Sequence, residues 1–361
     1  MPAPPNGKPA PRQHYLPAAF IGAFSASTNG RARARKVWIR RRDEEQVVRR
    51  RAEDIGAEEG LYTLTEPIGF KGKVDPLFLD HTWRYVENRL PDAIRSLLES
   101  RTTGMLDAKT WGLVLVRFVV DLFIRGPDFN VRFQQRFEGM GDLRSHFTAD
   151  NTNMARMIEA QFLYSAVMRC HWEVMHSPAQ TLVGSDIGYT PAKLGDAESG
   201  YAIPITRNAA LLIGRRSDEL SPSLHWQRDR WVLPVLHQTL PPERAAGLNQ
   251  KIALCAQRMV FGSDSDTVER ATEHWASDEA RSPLGLGPGL IAGAPQERRE
   301  SSMAQFVLIT LLNKKPEEIG TATVPLVKVG YQSWKNESSP SQEGQASSSP
   351  IEGASAGDTP V

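Results

Sequence analysis

Between positions 75 and 99 the apolar residues Leu79, Trp83, Val86, Leu90, Ile94 and Leu97 recur every three or four places, which predicts an amphipathic helix. Pro91 lies inside that stripe and is expected to bend or split the helix. A second helix is predicted over 107–125, closed by Gly126 and Pro127, a permissive residue followed by one that cannot continue a helix. A third is predicted over 153–170, with Met154, Ile158, Phe162 and Ser165 on its buried stripe and Asn151 to Asn153 as caps. A fourth is predicted over 244–260, with Leu248, Ile252, Cys255 and Met259 on one face, and a shorter one reaches Trp275.

Strand signals fall between these helices. Val37, Trp38 and Ile39, a charged turn, and Val47 and Val48 predict a hairpin. Residues 171–176 and 181–186 are expected to form another around a Ser-Pro-Ala-Gln turn, and 201–206 and 209–213 to add two strands. Pro204 has no amide proton to give a ladder, so its strand belongs at an edge or a bulge. The expected fold is α+β, a predominantly helical single domain with a small antiparallel sheet. That domain is expected over 13–280, after a flexible N-terminus (1–12). A Gly/Pro-rich loop (281–300), a C-terminal appendage (301–335) and a disordered tail (336–361) follow it.

Composition narrows the class. The chain has 361 residues, 40% of them hydrophobic, enough for a sizeable core. The longest apolar run, 111–124, is short for a bilayer and carries Arg117 and Asp121, so no membrane partner is expected. The first residues lack the apolar core of an export signal, and a cytoplasmic location is expected. Cys170 and Cys255 stand apart without a C-x-x-C neighbour, which argues against a disulfide framework or a zinc knuckle. No metal site is predicted, and no cofactor is indicated. The net charge of +1 gives the whole chain no bias toward polyanions. The stretch from Arg31 to Arg51, with ten Lys or Arg against three acids, does so locally, although Trp38 is its one aromatic residue.

Arg117, Asp121 and Arg125 are four apart and form one row along the 107–125 helix, bordered by Leu113, Val114, Phe118, Val120 and Ile124. Charges in so apolar a setting must pair or serve a ligand, because an isolated buried ion costs several kcal/mol. Arg117 and Arg125 are therefore candidates to bind an anion, against the alternative of a structural Arg-Asp-Arg network. Other motifs fail on spacing. His171-Trp172-Glu173 lacks the P-C-x-x-C of a zinc deaminase, and Gly184-Ser185-Asp186 lacks G-x-S-x-G. Pro288 interrupts the glycines at 285, 287 and 289.

His14-Tyr15-Leu16-Pro17, followed by Phe20 and Phe24, resembles the opening of the family known as domain of unknown function 4238, which reads H-Y-V-P-Q-F. Further steps match in order: Trp38, Leu61-Tyr62-Thr63, Glu87, the helix ending at Arg125 and Pro127, Trp172-Glu173-Val174, Ser185-Asp186, Ile203-Pro204-Ile205, Asn249, and Arg258 to Phe261. The resemblance covers about 13–262. Ala18 and Ala19 depart from the family's Gln-Phe, and Ile187-Gly188 from its Asn-Pro. The resemblance sharpens the candidate residues without supplying a reaction.

Two functional expectations follow. One is a bacterial enzyme or ligand-binding domain acting on a phosphate-containing or nucleic-acid substrate. In it His14, Glu87 and Asp186 carry the catalytic roles, with His14 moving protons and Glu87 or Asp186 as base or metal ligand, and Arg117 and Arg125 clamp the anion. The other is a non-catalytic binding or regulatory module of a bacterial conflict or mobile-element system. In both, a phosphate ligand or nucleic acid meets either Arg31 to Arg51 or the Arg117/Arg125 pair.

Overall fold

The computed structural model describes residues 12–64, 75–126, 129–130, 133, 149–194, 197–214, 223–276 and 312–315. Its first strand, β1 (Arg12–His14), turns at Pro17 into a short helix, α1 (Ala18–Gly22). Phe20 and Phe24 project one turn apart and meet Phe118 and Phe261 respectively, with ring centroids 5.2 Å apart in each pair. These four rings are buried in the main core, which explains the two phenylalanines of the opening motif.

The predicted hairpin forms as β2 (Lys36–Arg41) and β3 (Val48–Arg51), with Val37 and Ile39 turned into the core. β4 (Ala57–Glu59) then returns to pair with β1, setting His14 opposite Ala57.

Helix α2 (Phe78–Glu99) buries the six apolar positions that its periodicity predicted. It runs unbroken through Pro91, contrary to the expected split. Pro91 sits on the exposed face, where water can take the Glu87 carbonyl that has lost its helical partner.

After β5 (Met105–Asp107), Asp107 caps the next helix by accepting from the Thr110 amide at 2.8 Å. That helix, α3, combines an α-helical turn (Ala108–Thr110), a π-helical turn (Trp111–Leu115) and an α-helical stretch (Val116–Arg125). The Tyr164 hydroxyl donates to the Gly112 carbonyl inside the wide π turn, at 2.5 Å. Helix α4 (Ala149–Met168) packs beside it on a different stripe from the expected one: Ile158 is 56% exposed, while Asn153, Arg156, Leu163 and Val167 are buried.

The segment 171–186 does not close on itself. β6 (His171–His176) joins a five-stranded sheet, whereas β7 (Gly184–Ser185) joins a four-stranded one. Then follow β8 (Thr190–Leu194), β9 (Ala197–Thr206), β10 (Ala209–Gly214), β11 (His225–Gln227), β12 (Arg230–Pro234) and β13 (Leu236–Thr239). The five-stranded sheet has the order β13-β6-β10-β9-β8, with β13 parallel to β6, so it is mixed. Pro204 lies at the register shift between β9 and β10, as its missing amide requires.

Helix α5 (Pro242–Cys255) stops short of the expected residue 260, and β14 (Met259–Gly262) and α6 (Ser265–Ala271) follow. All four β14 residues are buried, so no alternation marked the strand in the sequence. With two further sheets, β1-β4 and β11-β12-β5, four sheets among the described residues replace the single small sheet that was expected. The fold is a mixed α+β arrangement rather than a predominantly helical one.

Leu312 is buried in the main core, and the Trp231 indole donates to the Lys314 carbonyl at 3.0 Å. Otherwise the Gly/Pro-rich loop, the C-terminal appendage and the tail lie outside the described residues, as do residues 1–11 and Pro127. Among the described residues no helix is long and apolar enough to cross a membrane.

Candidate functional site

Three of the five expected residues meet where β1, α2 and the end of α3 converge. Arg125 sits at the last turn of α3 and is only 2% exposed. Both hydrogens of its Nη2 are used: one goes to Glu87 Oε1 at 2.6 Å and the other to the His14 backbone carbonyl. Its guanidinium lies 4.5 Å from the centre of the Trp83 ring and 5.9 Å from that of Tyr62. Nε and Nη1 are buried and meet no acceptor. The nearby Tyr62 hydroxyl interacts with the guanidinium without a well-aligned hydrogen bond, so up to three of the five N–H bonds of this cation are poorly satisfied. Burial works against its charge, yet Glu87, Tyr62 and Asp121 hold it above the ordinary arginine value, so it stays ionised.

The frame around Arg125 is rigid. Gln13 accepts from the Tyr62 amide at 2.6 Å and donates to Asp80 at 3.1 Å, tying β1 to α2. The Tyr62 hydroxyl donates to the Arg125 carbonyl at 2.5 Å. A second buried guanidinium, Arg156, donates to the carbonyls of Ile124 and Gly126 and so satisfies the end of α3. It also lies 5.4 Å from the Tyr62 ring, leaving that tyrosine between two cations.

His14 and Glu87 form the open side. The Glu87 side chain is 30% exposed, and His14 is partly exposed. The His14 Nε2 lies 3.3 Å from the Glu53 carbonyl. A carbonyl only accepts, so Nε2 carries the ring proton and Nδ1 keeps a lone pair. Burial lowers the His14 pKa against the opposing pull of the Glu53 carbonyl and Glu87, which leaves the ring neutral near pH 7.

Asp121 lies one turn before Arg125 on α3 and is fully buried, with Oδ2 meeting no donor. Burial pushes its pKa up to about 7, although Arg117 and Arg125 pull it down. Arg117 is half-buried on the same row, and its charge is felt by Asp121 and Tyr164. The row seen in the sequence is thus an electrostatic unit, but only Arg125 reaches His14 and Glu87 by direct bonds.

Asp186 has other partners. Its carboxylate accepts from the amides of Gln257 at 3.0 Å and Arg258 at 2.9 Å, at the turn from α5 into β14. Replacing Asp186 by Ala is expected to cost about 3 kcal/mol, because each amide loses a charged acceptor worth about 1.5 kcal/mol or more. Urea unfolding reads this loss, and a change below about 1 kcal/mol would mean that the clamp does not hold the turn.

The chain matches, over residues 12–266, the family described as Protein of unknown function (DUF4238). It belongs to that family. No curated protein and no solved structure matches it. Within the family resemblance, Tyr62 of the Leu61-Tyr62-Thr63 step and Glu87 are now both seen to attend Arg125.

Gln13, Tyr62, Trp83 and Arg156 were not picked out as site residues from the sequence. Tyr62 stood in the family's Leu61-Tyr62-Thr63 step and Trp83 in the apolar stripe of its helix, but neither signal pointed to Arg125. Among the described residues no group of three or more His, Cys, Asp or Glu is disposed to hold a metal ion. A polar cleft of about 660 Å³ opens between residues 45–47 and α6, lined by Glu45, Glu269 and Glu273 together with Arg40 and Arg270; it borders the Arg31–Arg51 stretch and contains none of the five candidate site residues.

Proposed function

We propose that this chain binds a phosphate-bearing ligand at the mouth formed by His14 and Glu87, with Arg125 as the anion clamp and His14 as the proton carrier. One observation carries the reading: a buried, permanently charged guanidinium keeps Nε and Nη1 without a well-formed hydrogen bond, an arrangement that a phosphoryl oxygen would satisfy. The neutral His14 ring, with its Nδ1 lone pair, supports the proton role. In hydrolysis of a phosphodiester, Nδ1 would take the proton of the attacking water as the new P–O bond forms. The ester oxygen would then leave with the electrons of the broken P–O bond. Glu87 orients Arg125 and limits its net charge. Arg117 and Asp186 stand outside this mechanism.

The alternative is a non-catalytic binding module of a bacterial conflict or mobile-element system. The burial of Arg125 and its bond to Glu87 favour it, since both suit a fixed structural pair. Turnover of bis(4-nitrophenyl) phosphate separates the two. The catalytic reading expects measurable hydrolysis that falls about 100-fold or more in His14→Ala, the usual worth of a general acid or base. Absence of turnover in the wild-type chain, or an unchanged rate in the variant, removes the proton role and leaves the binding module.

A further inference from the structure

The basic stretch from Arg31 to Arg51 divides into two groups with different uses. Three of its arginines are spent on the fold. Arg35 donates to the Thr28 carbonyl at 2.6 Å and Arg40 to Thr272 at 3.0 Å. Arg42 donates to the Ala256 carbonyl at 3.0 Å and lies 4.5 Å from the centre of the Trp275 ring. By contrast, Arg31, Arg33, Lys36, Arg49 and Arg50 are exposed and have no acidic partner among the described residues. Arg51 reaches Glu53 only loosely, at 3.8 Å with both side chains exposed, which is worth little.

Their placement is that of a track. β3 is the edge strand of the β3-β2-β14-β7 sheet, with no strand on its outer side among the described residues. In the hairpin register Lys36 faces Arg51 and Trp38 faces Arg49, which sets three cations around a half-buried indole on one face. Like charges opposite each other destabilise a hairpin, so its own stability does not account for this pairing. The far end of the track reaches the site already described. Arg51 is followed by Ala52 and Glu53, and the Glu53 carbonyl is the group that holds His14 Nε2.

We propose that this edge binds single-stranded nucleic acid through its phosphates, with Trp38 as a stacking surface for a base, and that the strand is led to the His14 centre. The last step rests on the function proposed above; the track itself does not. A row of exposed cations beside a partly exposed indole on the neighbouring strand β2, whose other side packs on the core, suits a single strand better than a duplex groove, which is read by a helix or ribbon inserted into it. The competing account is that the arginines only keep the open edge from pairing with another chain.

The test is fluorescence anisotropy of a labelled single-stranded oligonucleotide of about 12 nucleotides on the full chain, titrated between about 50 and 200 mM salt. The double variant Arg49→Glu/Arg51→Glu, which changes two of the cations on the Trp38 face, is expected to bind at least about tenfold more weakly. Its salt slope should be shallower by about 1.4, since each lost phosphate contact on a single strand removes about 0.7. Arg49→Lys/Arg51→Lys should retain most of the affinity, and an unchanged urea midpoint in the Glu variant excludes a folding defect as the cause. No binding by the wild-type chain, equal affinity in the Glu variant, or variant-sensitive binding to phosphatidylserine vesicles without oligonucleotide binding would each overturn the track. None of these outcomes bears on turnover of the small diester, so failure of the track and failure of the His14 centre are read separately.

Discussion

Replacing Arg125 by Leu is expected to destabilise the protein by about 2–3 kcal/mol, since the His14 carbonyl is left without its donor while Glu87, 30% exposed, keeps part of its hydration. The change leaves Glu87 without its counter-charge and the His14 carbonyl without its donor, and it empties the space against Trp83. Urea unfolding with an unchanged m-value measures it. Replacing both Arg125 and Glu87 by Leu should recover a large part of the loss, because no uncompensated charge then remains. A loss below about 1 kcal/mol in the single variant would mean that the pair does not organise the junction of β1, α2 and α3.

The second large effect is a change in pH dependence. The Asp121 carboxyl has a pKa near 7 in the fold against an ordinary 3.8, with burial as the main cause. The folded state therefore binds this proton more tightly than the unfolded state. The resulting stability is fully present below about pH 4 and is lost as pH rises through about 7, in total on the order of 4 kcal/mol. Asp121→Asn cannot ionise, so its stability relative to the wild-type chain should rise by about that amount from pH 4 to pH 8. Arg117 and Arg125 on the same helix and Glu87 on α2 set the size of the effect. Parallel pH profiles for the two proteins would show that Asp121 titrates normally.

How much of this was legible in the sequence depended on what each signal encodes. The stripe of α2, the Asp107 start and the Arg125 end of α3 were readable, because periodicity and charge breaks report burial directly. The row of Arg117, Asp121 and Arg125 was readable for the same reason. The buried stripe of α4 was misread because a cation, Arg156, occupies it, held there by the carbonyls at the end of α3 rather than by apolar contact. Short strands such as Arg12–His14 and Met105–Asp107 are too brief to show alternation. The division of 171–186 between two sheets depends on partners far along the chain, β10 and β13 for one piece and β14 for the other. His14, Glu87 and Arg125 were named individually, but their meeting is a property of the fold.

The most direct test of the account is the Nε–H resonance of Arg125 in a nitrogen-15 NMR titration with inorganic phosphate. An N–H group without an acceptor should move downfield and saturate as a phosphate oxygen takes it up. A resonance that stays fixed at saturating phosphate would contradict the account and leave Arg125 as a purely structural cation.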